Sequence, residues 1–391
     1  MELSKLTLEI FSKLEQQWLF QHQTNNNNKK TRILTIDGGG TTAIPSAPSL
    51  IHLEHQIQLK TGNSNSRIVD FFDIIAGTGI GAILAVLINA DDGTGRPLFS
   101  AKQAVKFITD KRTQLFKTKS VGVINRRKMY SNESIEKILK QTFTRSSDGK
   151  VLTLTDTCKP LIVPCYDLNT SAPFVFSRAD ACESDSYNFD LWKICCATSL
   201  DPSMFKPFRF SSVDGKTSCY AVDGGLVMNN PSAAVVTHVL HNKRDFVSVT
   251  GVEDLLVLSL GNGNSNSNGQ VNCSSEMKVD RGGYCKKQYI VGTAVEGVSE
   301  TVDQMLGNAF CWNHTDYVRI QANGYLNGGT MTEEVLMERG VESLPFGGKR
   351  LLTETNGQRI ENFVQRLVSG TSSLPPSPCK NAAVSQLVNG R

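Results

Sequence analysis

The 391-residue sequence lacks several features that mark specialised classes of protein. It has no run of about 18 apolar residues, so no membrane-spanning helix is expected. Its ten cysteines form no C-x-x-C pair and no zinc-type Cys/His spacing, and no EF-hand-like acidic loop is present, so no metal site is expected. The net charge of +4 is too small over this length to indicate a nucleic-acid partner.

No signal peptide is expected from the first residues, where acidic and basic residues are mixed and no small-residue cleavage site follows. Irregularly spaced cysteines agree with a reducing compartment, and together these features predict a cytoplasmic protein. Residues 1–20 place apolar side chains at helical spacing, which predicts an amphipathic helix that either packs on the main body or lies in a membrane interface. A polar linker follows through residue 30.

Strands and helices are predicted to alternate along most of the chain. Strands are expected at about 32–36, 72–76, 161–166, 173–177 and 254–263. Helices are expected at about 45–60, 100–116, 191–199, 233–242, 291–310 and 350–369. This alternation predicts an α/β fold with a mostly parallel sheet and helices on both faces.

One segment, "FFDIIAGTGIGAILAVLINA" at residues 71–90, predicts a strand, a sharp turn and a helix. Such a turn serves either of two chemistries. Its amides can hold a phosphate at the helix N-terminus, or its apex can present a nucleophilic serine in a G-x-S-x-G elbow. The five elbow positions, 77–81, read GTGIG, so the apex residue is Gly79, which carries no side chain.

The first alternative is a dinucleotide-binding protein. Gly77, Gly79 and Ala82 fit the fingerprint G-x-G-x-x-[GA]. That fingerprint also needs an acidic residue at the end of a second strand, about 20 residues further on. No apolar strand leads up to Asp91 or Asp92, so this interpretation is the weaker one.

Two further segments favour ester hydrolysis. "IDGGG" at residues 36–40 places three glycines after a strand, where their unshielded amides can converge on an oxyanion, each worth about 3–4 kcal/mol when well placed. "VDGGLVMNNP" at residues 222–231 places Asp223 after a short apolar strand, so that its carboxylate can act as a base at a strand end. The three motifs in this order are more specific than any one of them.

In type, order and spacing, these motifs resemble those of plant patatin-related phospholipases, which are lipid acyl hydrolases. The resemblance covers residues 31–263 and includes "ATSLDPSMFKPF" at 197–208 and "VLSLGNG" at 257–263. It is strongest to the subgroup whose elbow reads G-x-G-x-G. The resemblance implies a patatin-like three-layer α/β fold and cleavage of fatty-acyl esters of phospholipids and related polar lipids. It also implies a Ser–Asp dyad that uses no histidine, metal or cofactor.

Carried over position by position, the resemblance assigns a role to each motif residue. The dyad base is Asp223, and the nucleophile position is Gly79, where the serine is missing. The other positions are the oxyanion hole at Gly38, Gly39, Gly40 and Ile80, the elbow at Gly77, Thr78 and Gly81, and the glycines after the aspartate at Gly224 and Gly225. The glycine loop departs from the family pattern D-G-G-G-x-R-G, because residues 41–43 read TTA.

Without a hydroxyl at position 79, no acyl-serine intermediate can form there. The neighbouring Thr78 is a poor substitute, because successive side chains at a strand end point to opposite sides. Two hypotheses follow. Either a water at the apex attacks with Asp223 as its general base, giving hydrolysis at a reduced rate, or the chain is a catalytically inactive lipid-binding or regulatory scaffold.

A basic segment, defined as residues 111–128, begins within the helix predicted at about 100–116, and the only acidic residue beside it is the preceding Asp110. Its basic residues are Lys111, Arg112, Lys117, Lys119, Arg126, Arg127 and Lys128. Near an anionic leaflet such a cluster gains about 1 kcal/mol per basic residue, although similar clusters occur on ordinary solvated loops. The hypothesis is peripheral membrane contact through this segment, with a phospholipid or other acyl lipid as substrate.

The predicted organisation is one domain with additions. The N-terminal helix and linker occupy residues 1–30, the phospholipase-like domain 31–263, a mobile polar insertion 264–288, a C-terminal helical part that completes the fold 289–368, and a disordered tail 369–391.

Overall fold

A computed structural model describes residues 30–39, 44, 46–119, 129–262, 284–321, 334–344 and 348–369. The predicted N-terminal helix and linker lie outside the described residues, apart from Lys30, as do the tail from residue 370 and most of the predicted polar insertion.

The described residues form strands and helices that largely alternate. The strands are β1 (Thr31–Ile36), β2 (Ile74–Gly77), β3 (Thr118–Lys119), β4 (Met129–Tyr130), β5 (Leu161–Asp167), β6 (Ala172–Ser177), β7 (Phe208–Ser211), β8 (Ser218–Val222), β9 (Leu255–Leu260), β10 (Tyr317–Ile320), β11 (Arg339–Leu344) and β12 (Gly348–Thr355). The α-helices are α1 (Ser46–Thr61), α2 (Gly79–Leu87), α3 (Ala101–Leu115), α4 (Asn132–Thr142), α5 (Arg178–Glu183), α6 (Leu191–Ser199), α7 (Gly225–Met228), α8 (Ser232–His241), α9 (Tyr284–Ala309), α10 (Glu334–Met337) and α11 (Asn356–Ser369).

A sheet of eight strands forms the middle layer, in the order β10-β9-β1-β2-β5-β8-β7, with β6 also paired to β5. The five strands from β10 to β5 run parallel, whereas β6, β7 and β8 are antiparallel to their neighbours. In this register Ile33 lies opposite Ile74 of β2 and Val257 of β9. The predicted α/β fold with a mostly parallel sheet is confirmed.

Alternate side chains of β1 enter two different cores, because successive residues of a strand point to opposite faces. Leu34 and Ile36 join the larger core with helices α1, α2, α3, α6 and α11. Ile33 joins a smaller core with α8 and α9. The sheet therefore lies between two helical layers. In the larger core α2 is apolar on every side and fully buried, as expected for a helix without a solvent-facing stripe.

The C-terminal part differs from the prediction. Only residues 356–369 of the expected helix at 350–369 are helical, because residues 348–355 pair with β11 as an antiparallel strand. Cross-strand pairing outweighs local helical spacing at this point. The helix expected at 291–310 begins earlier, at Tyr284, within the predicted polar insertion. The segment 289–368 is also not purely helical, since it adds β10 to the main sheet.

The carboxyl ends of β1, β2, β9 and β10 meet at one edge of the sheet because these strands are parallel. Ligand sites of open α/β sheets form at this edge. In the described part of the chain, no helix is long and apolar enough to cross a membrane.

Candidate active site

The predicted elbow is the turn between β2 and α2. Gly79 has a φ of +55°, a left-handed conformation that costs L-residues about 1–2 kcal/mol. Crowding requires glycine on both sides: a Cβ on Gly77 would lie 2.6 Å from the carbonyl oxygen of Gly81, and a Cβ on Gly81 would lie 2.2 Å from that of Asp37. A Cβ on Gly79 would meet nothing closer than 3.4 Å. The left-handed turn of a nucleophile elbow is present, adopted here by a glycine without strain, and its apex has room for more than a hydrogen atom.

The Thr78 side chain points away from the apex. It is fully buried, and its Oγ1 donates a hydrogen bond of 2.7 Å to the carbonyl oxygen of Met228. The apex backbone is held by a different threonine: the Gly79 amide donates to Thr198 Oγ1 at 3.0 Å, and Thr198 Oγ1 donates to the carbonyl oxygen of Pro164 at 2.6 Å. Thr198 thus fixes the apex to β5, and Thr78 offers no nucleophile.

Asp223 follows β8 and faces the apex. Its Oδ1 lies 3.6 Å from the position of a Cβ on Gly79. The same oxygen accepts a hydrogen bond of 2.7 Å from the Gly225 amide. A Cβ on Gly224 would lie 2.3 Å from the carbonyl oxygen of Pro164, so only glycine allows this close approach to β5. The two glycines after the aspartate therefore orient the carboxylate and bring its strand end up to the elbow.

Burial raises the pKa of Asp223 to about 7. The Gly225 amide acts in the opposite direction, and the negative charge of Asp201 raises the pKa further. The residue as a whole is nevertheless only half-buried. A carboxylate with a pKa near 7 combines a useful ionised fraction at neutral pH with a strong affinity for a proton, which suits a general base.

The glycine loop after β1 brings a second set of groups to the apex. The Gly39 nitrogen lies 3.7 Å from the position of a Cβ on Gly79. Ile80 lies in the first turn of α2, where amides have no acceptor within the helix. The Gly38 amide, in contrast to its predicted role as an oxyanion donor, already donates to the carbonyl oxygen of Asn229 at 2.9 Å. Gly40 lies outside the described residues.

Asn262, two residues after the end of β9, links the glycine loop to its surroundings. Its Nδ2 donates to the carbonyl oxygens of Asp37 at 3.0 Å and Gly38 at 2.9 Å. Its Oδ1 accepts a hydrogen bond of 2.9 Å from the Ser46 hydroxyl at the start of α1. One side chain therefore joins the ends of β1 and β9 to the following helix.

Asp37, which precedes the three glycines, is buried and paired with an arginine of β10. Arg319 donates from Nη1 to Asp37 Oδ1 at 2.8 Å and from Nη2 to Oδ2 at 2.5 Å. Burial raises the pKa of Asp37 to about 6 even though the guanidinium acts to lower it.

The profile of the Patatin-like phospholipase family matches residues 34–236. This segment contains the glycine loop, the elbow and the aspartate whose geometry is described above. The chain belongs to the patatin-like phospholipase family. The predicted family membership is confirmed.

Three plant proteins are similar to this patatin-like chain. "Probable inactive patatin-like protein 9" of Arabidopsis thaliana is 64% identical over 392 residues and covers 100% of both chains. Patatin-like protein 6 of the same plant is 37% identical over 429 residues, which cover 94% of this chain and 84% of that protein. Patatin-like protein 7, also of Arabidopsis thaliana, is 39% identical over 412 residues, which cover 94% of this chain and 81% of that protein.

Several residues that shape this patatin-like site were not predicted from the sequence. Thr198 and Asn262 lie within the two accessory stretches at 197–208 and 257–263, so the family resemblance contained a signal for them. Asn229 accepts the hydrogen bond of the Gly38 amide with its backbone carbonyl oxygen, and its Oδ1 lies 2.5 Å from the position of a Cβ on Gly38. Arg319 lies beyond the matched segment and has no local motif.

The basic segment is only partly described. Lys111 and Arg112 lie half-buried near the end of α3, and Lys117 is exposed. The side chain of Lys119 and the residues Arg126, Arg127 and Lys128 lie outside the described part of the chain. Where side chains are described, no group of three or more His, Cys, Asp or Glu residues is placed to hold a metal ion.

Proposed function

We propose that this patatin-like protein hydrolyses fatty-acyl esters of phospholipids and related polar lipids at a reduced rate, with a water molecule in the role of the serine. The observation that carries the proposal is the geometry of the apex. Gly79 leaves the nucleophile position without a side chain, and Asp223 Oδ1 lies 3.6 Å from where its Cβ would be. A water near that point can donate a hydrogen bond to the carboxylate.

In the proposed reaction, the Asp223 carboxylate takes a proton from the water as the water oxygen attacks the acyl carbonyl carbon. The carbonyl oxygen becomes an oxyanion that accepts hydrogen bonds from the amides of Gly39 and Ile80 and, by family resemblance, Gly40. As the tetrahedral intermediate collapses, the ester C–O bond breaks and Asp223 returns its proton to the leaving alkoxide. The products are a free fatty acid and a lysolipid, without a covalent intermediate.

General arguments on rate support slow rather than fast hydrolysis. A positioned general base contributes about 10²–10⁴-fold. Oxyanion and substrate binding alone retain about 10³–10⁴-fold over water when the nucleophile of a serine hydrolase is lost. The proposed reaction uses both contributions and lacks that of covalent catalysis.

The second candidate is a catalytically inactive patatin-like protein that binds lipid. It is supported by the missing serine and by the name of the 64% identical relative, which describes that protein as probably inactive in the words "Probable inactive patatin-like protein 9". On this hypothesis the cleft and the aspartate are retained but no ester is cleaved.

The two candidates are separated by fatty-acid release from phosphatidylcholine vesicles. The full-length protein is assayed beside Asp223→Asn, Gly79→Ser and, as a matched control, Asp148→Asn, which changes an exposed aspartate in a surface turn. Release by the wild type and the control, but not by Asp223→Asn, supports the water mechanism. Release by Gly79→Ser alone contradicts it and favours the inactive lipid binder.

We also propose peripheral contact with an anionic leaflet on the cytoplasmic side, made through the basic segment. The proposal is supported by the seven basic residues of this segment and by the lipid substrates of the family. Electrostatic attraction of this kind weakens as salt is added, because the Debye length falls to about 8 Å at physiological ionic strength.

A further inference from the structure

A buried ionic cluster holds the aspartate that begins the glycine loop. The guanidinium of Arg319 contacts both carboxylate oxygens of Asp37 through separate nitrogens, at 2.8 and 2.5 Å. Such a two-pronged contact fixes the plane of a carboxylate as well as its position, which a lysine cannot do. Arg319 is 6% exposed and Asp37 1% exposed, so water does not compete for these hydrogen bonds.

The guanidinium is itself held from its other sides. Its Nε lies 3.0 Å from Asp303 Oδ2, and its Nη1 also donates to Ser259 Oγ at 2.8 Å. Asp303 in turn accepts hydrogen bonds from the Tyr317 hydroxyl at 2.7 Å and from Asn230 Nδ2 at 2.8 Å. Arg319 therefore has one well-defined orientation, and its two hydrogen bonds fix the orientation of the Asp37 carboxylate in turn.

Asp37 transmits this constraint to the apex. Its carbonyl oxygen packs against the elbow at Gly81, where a Cβ would lie only 2.2 Å away. The residues after it are Gly38 and Gly39, and the Gly39 nitrogen lies 3.7 Å from the position of a Cβ on Gly79. A small shift of Asp37 would therefore move the loop amides relative to the apex.

Asp303, Tyr317 and Arg319 all lie beyond residue 236, where the family match ends. We infer that Arg319 is a positioning residue for the oxyanion loop, and that through it α9 and β10 set the geometry of the proposed reaction. The role of the loop in binding an oxyanion rests on the proposed function, whereas the contacts between Arg319 and Asp37 do not depend on catalysis.

The test is the substitution Arg319→Lys in the full-length protein, which keeps the positive charge and removes the two-pronged contact. The matched control is Arg32→Lys. Arg32 lies at the opposite end of β1 and makes the same kind of contact with Asp73, from Nε at 3.0 Å and from Nη2 at 2.9 Å. It is 7% exposed, close to the value for Arg319.

The first measurement is amide hydrogen exchange of the peptide that contains Gly38 and Gly39, compared with a peptide from the buried helix α2. Arg319→Lys should speed exchange in the loop by at least about tenfold and leave α2 unchanged, because the loop opens locally. Arg32→Lys should leave loop exchange within about twofold of the wild type. Unchanged loop exchange in Arg319→Lys, or an equal increase in α2 or in the control, would overturn the inference.

A milder variant keeps the test valid if Arg319→Lys does not fold. Ser299→Ala removes a hydrogen bond of 3.2 Å to Asp37 Oδ2 and one of 3.3 Å from Arg319 Nη2, and it keeps both hydrogen bonds between Arg319 and Asp37. It should raise exchange in the loop by a smaller factor, again without affecting α2. A loop that exchanges as slowly as in the wild type would contradict the positioning role.

The second measurement is hydrolysis. A loop that has lost its alignment should lower kcat by about 10²-fold while KM stays within about twofold, because oxyanion binding acts in the transition state. A wild type that releases no fatty acid, combined with faster loop exchange in Arg319→Lys, would reject the proposed function and keep the positioning role. An active wild type whose kcat survives Arg319→Lys would reject the positioning role alone.

Discussion

Replacing Asp223 with asparagine is expected to stabilise the folded protein at alkaline pH while abolishing hydrolysis. Burial raises the pKa of Asp223 from 3.8 to about 7, so the folded state holds this proton more tightly than the unfolded chain does. Above pH 7 the ionised carboxylate is therefore a net cost to folding. Asparagine has nearly the same shape and can still accept the hydrogen bond from the Gly225 amide, but it does not ionise.

The size of the effect follows from the shift in pKa. A shift of about three units, at 1.36 kcal/mol per unit, sets an upper limit of ~4 kcal/mol. Because the residue is only half-buried, a gain of about 1–3 kcal/mol is expected for Asp223→Asn at pH 8. As the pH falls below 7, the carboxyl group protonates first in the folded protein, so the advantage shrinks. It disappears below pH 3.8, the unfolded value, where both states are protonated.

The assay is urea unfolding followed by circular dichroism at pH 8 and pH 5. Asp148→Asn is the control, because hydrogen bonding to the Lys150 amide lowers the pKa of Asp148 in the folded protein. Its replacement should therefore reduce stability at pH 8. The reasoning is refuted by an Asp223→Asn variant that is less stable than the wild type at pH 8, or by a gain of equal size at both pH values.

Three further outcomes are expected. Asp201→Asn removes a charge that raises the pKa of Asp223. The rise of the hydrolysis rate with pH, centred near pH 7, should therefore move to lower pH. An unchanged pH profile would contradict the assignment of Asp223 as the base. Gly81→Ala should lower the urea midpoint more than Gly79→Ala does. A Cβ on Gly81 would lie 2.2 Å from a backbone carbonyl oxygen, whereas Gly79→Ala costs only about 1–2 kcal/mol for placing alanine in the left-handed region. Equal losses of stability would be evidence against the packing argument. Replacing the basic residues of the basic segment by glutamine should weaken binding to anionic vesicles at low salt by about fivefold per residue, which corresponds to about 1 kcal/mol each. Binding to neutral vesicles should change little. Unchanged binding to anionic vesicles would contradict the membrane hypothesis.

The central part of the fold could be predicted because its signals are local. The glycines at 77–81 follow an apolar run and precede an apolar helix, and this order alone specifies a strand, a turn and a helix. The turn must be made of glycine for a reason that is visible only in three dimensions. Gly77 approaches the carbonyl oxygen of Gly81, and Gly81 approaches that of Asp37, directly after the neighbouring strand β1. The motif could therefore be recognised in the sequence, although the reason for it could not.

What could not be predicted depends on contacts between distant parts of the chain. Residues 350–355 were expected to be helical and instead belong to β12, which pairs with β11, because partner strands decide the structure of short segments with mixed propensity. Arg319 meets Asp37 across 282 positions, and no spacing in the sequence marks that pair. The hydrogen bond from the Gly38 amide to the carbonyl oxygen of Asn229 likewise joins distant parts of the chain and has no signal in the sequence.

The central claim is that water replaces serine at the apex, and inhibition by a fluorophosphonate tests it most directly. This reagent forms a covalent bond with nucleophilic serines, so the wild-type protein should remain unlabelled and should release fatty acid from phosphatidylcholine at its full rate after treatment. Gly79→Ser should be labelled and inhibited. Covalent labelling of the wild type with loss of its activity would show that a hydroxyl nucleophile operates in this protein, and would contradict the water mechanism.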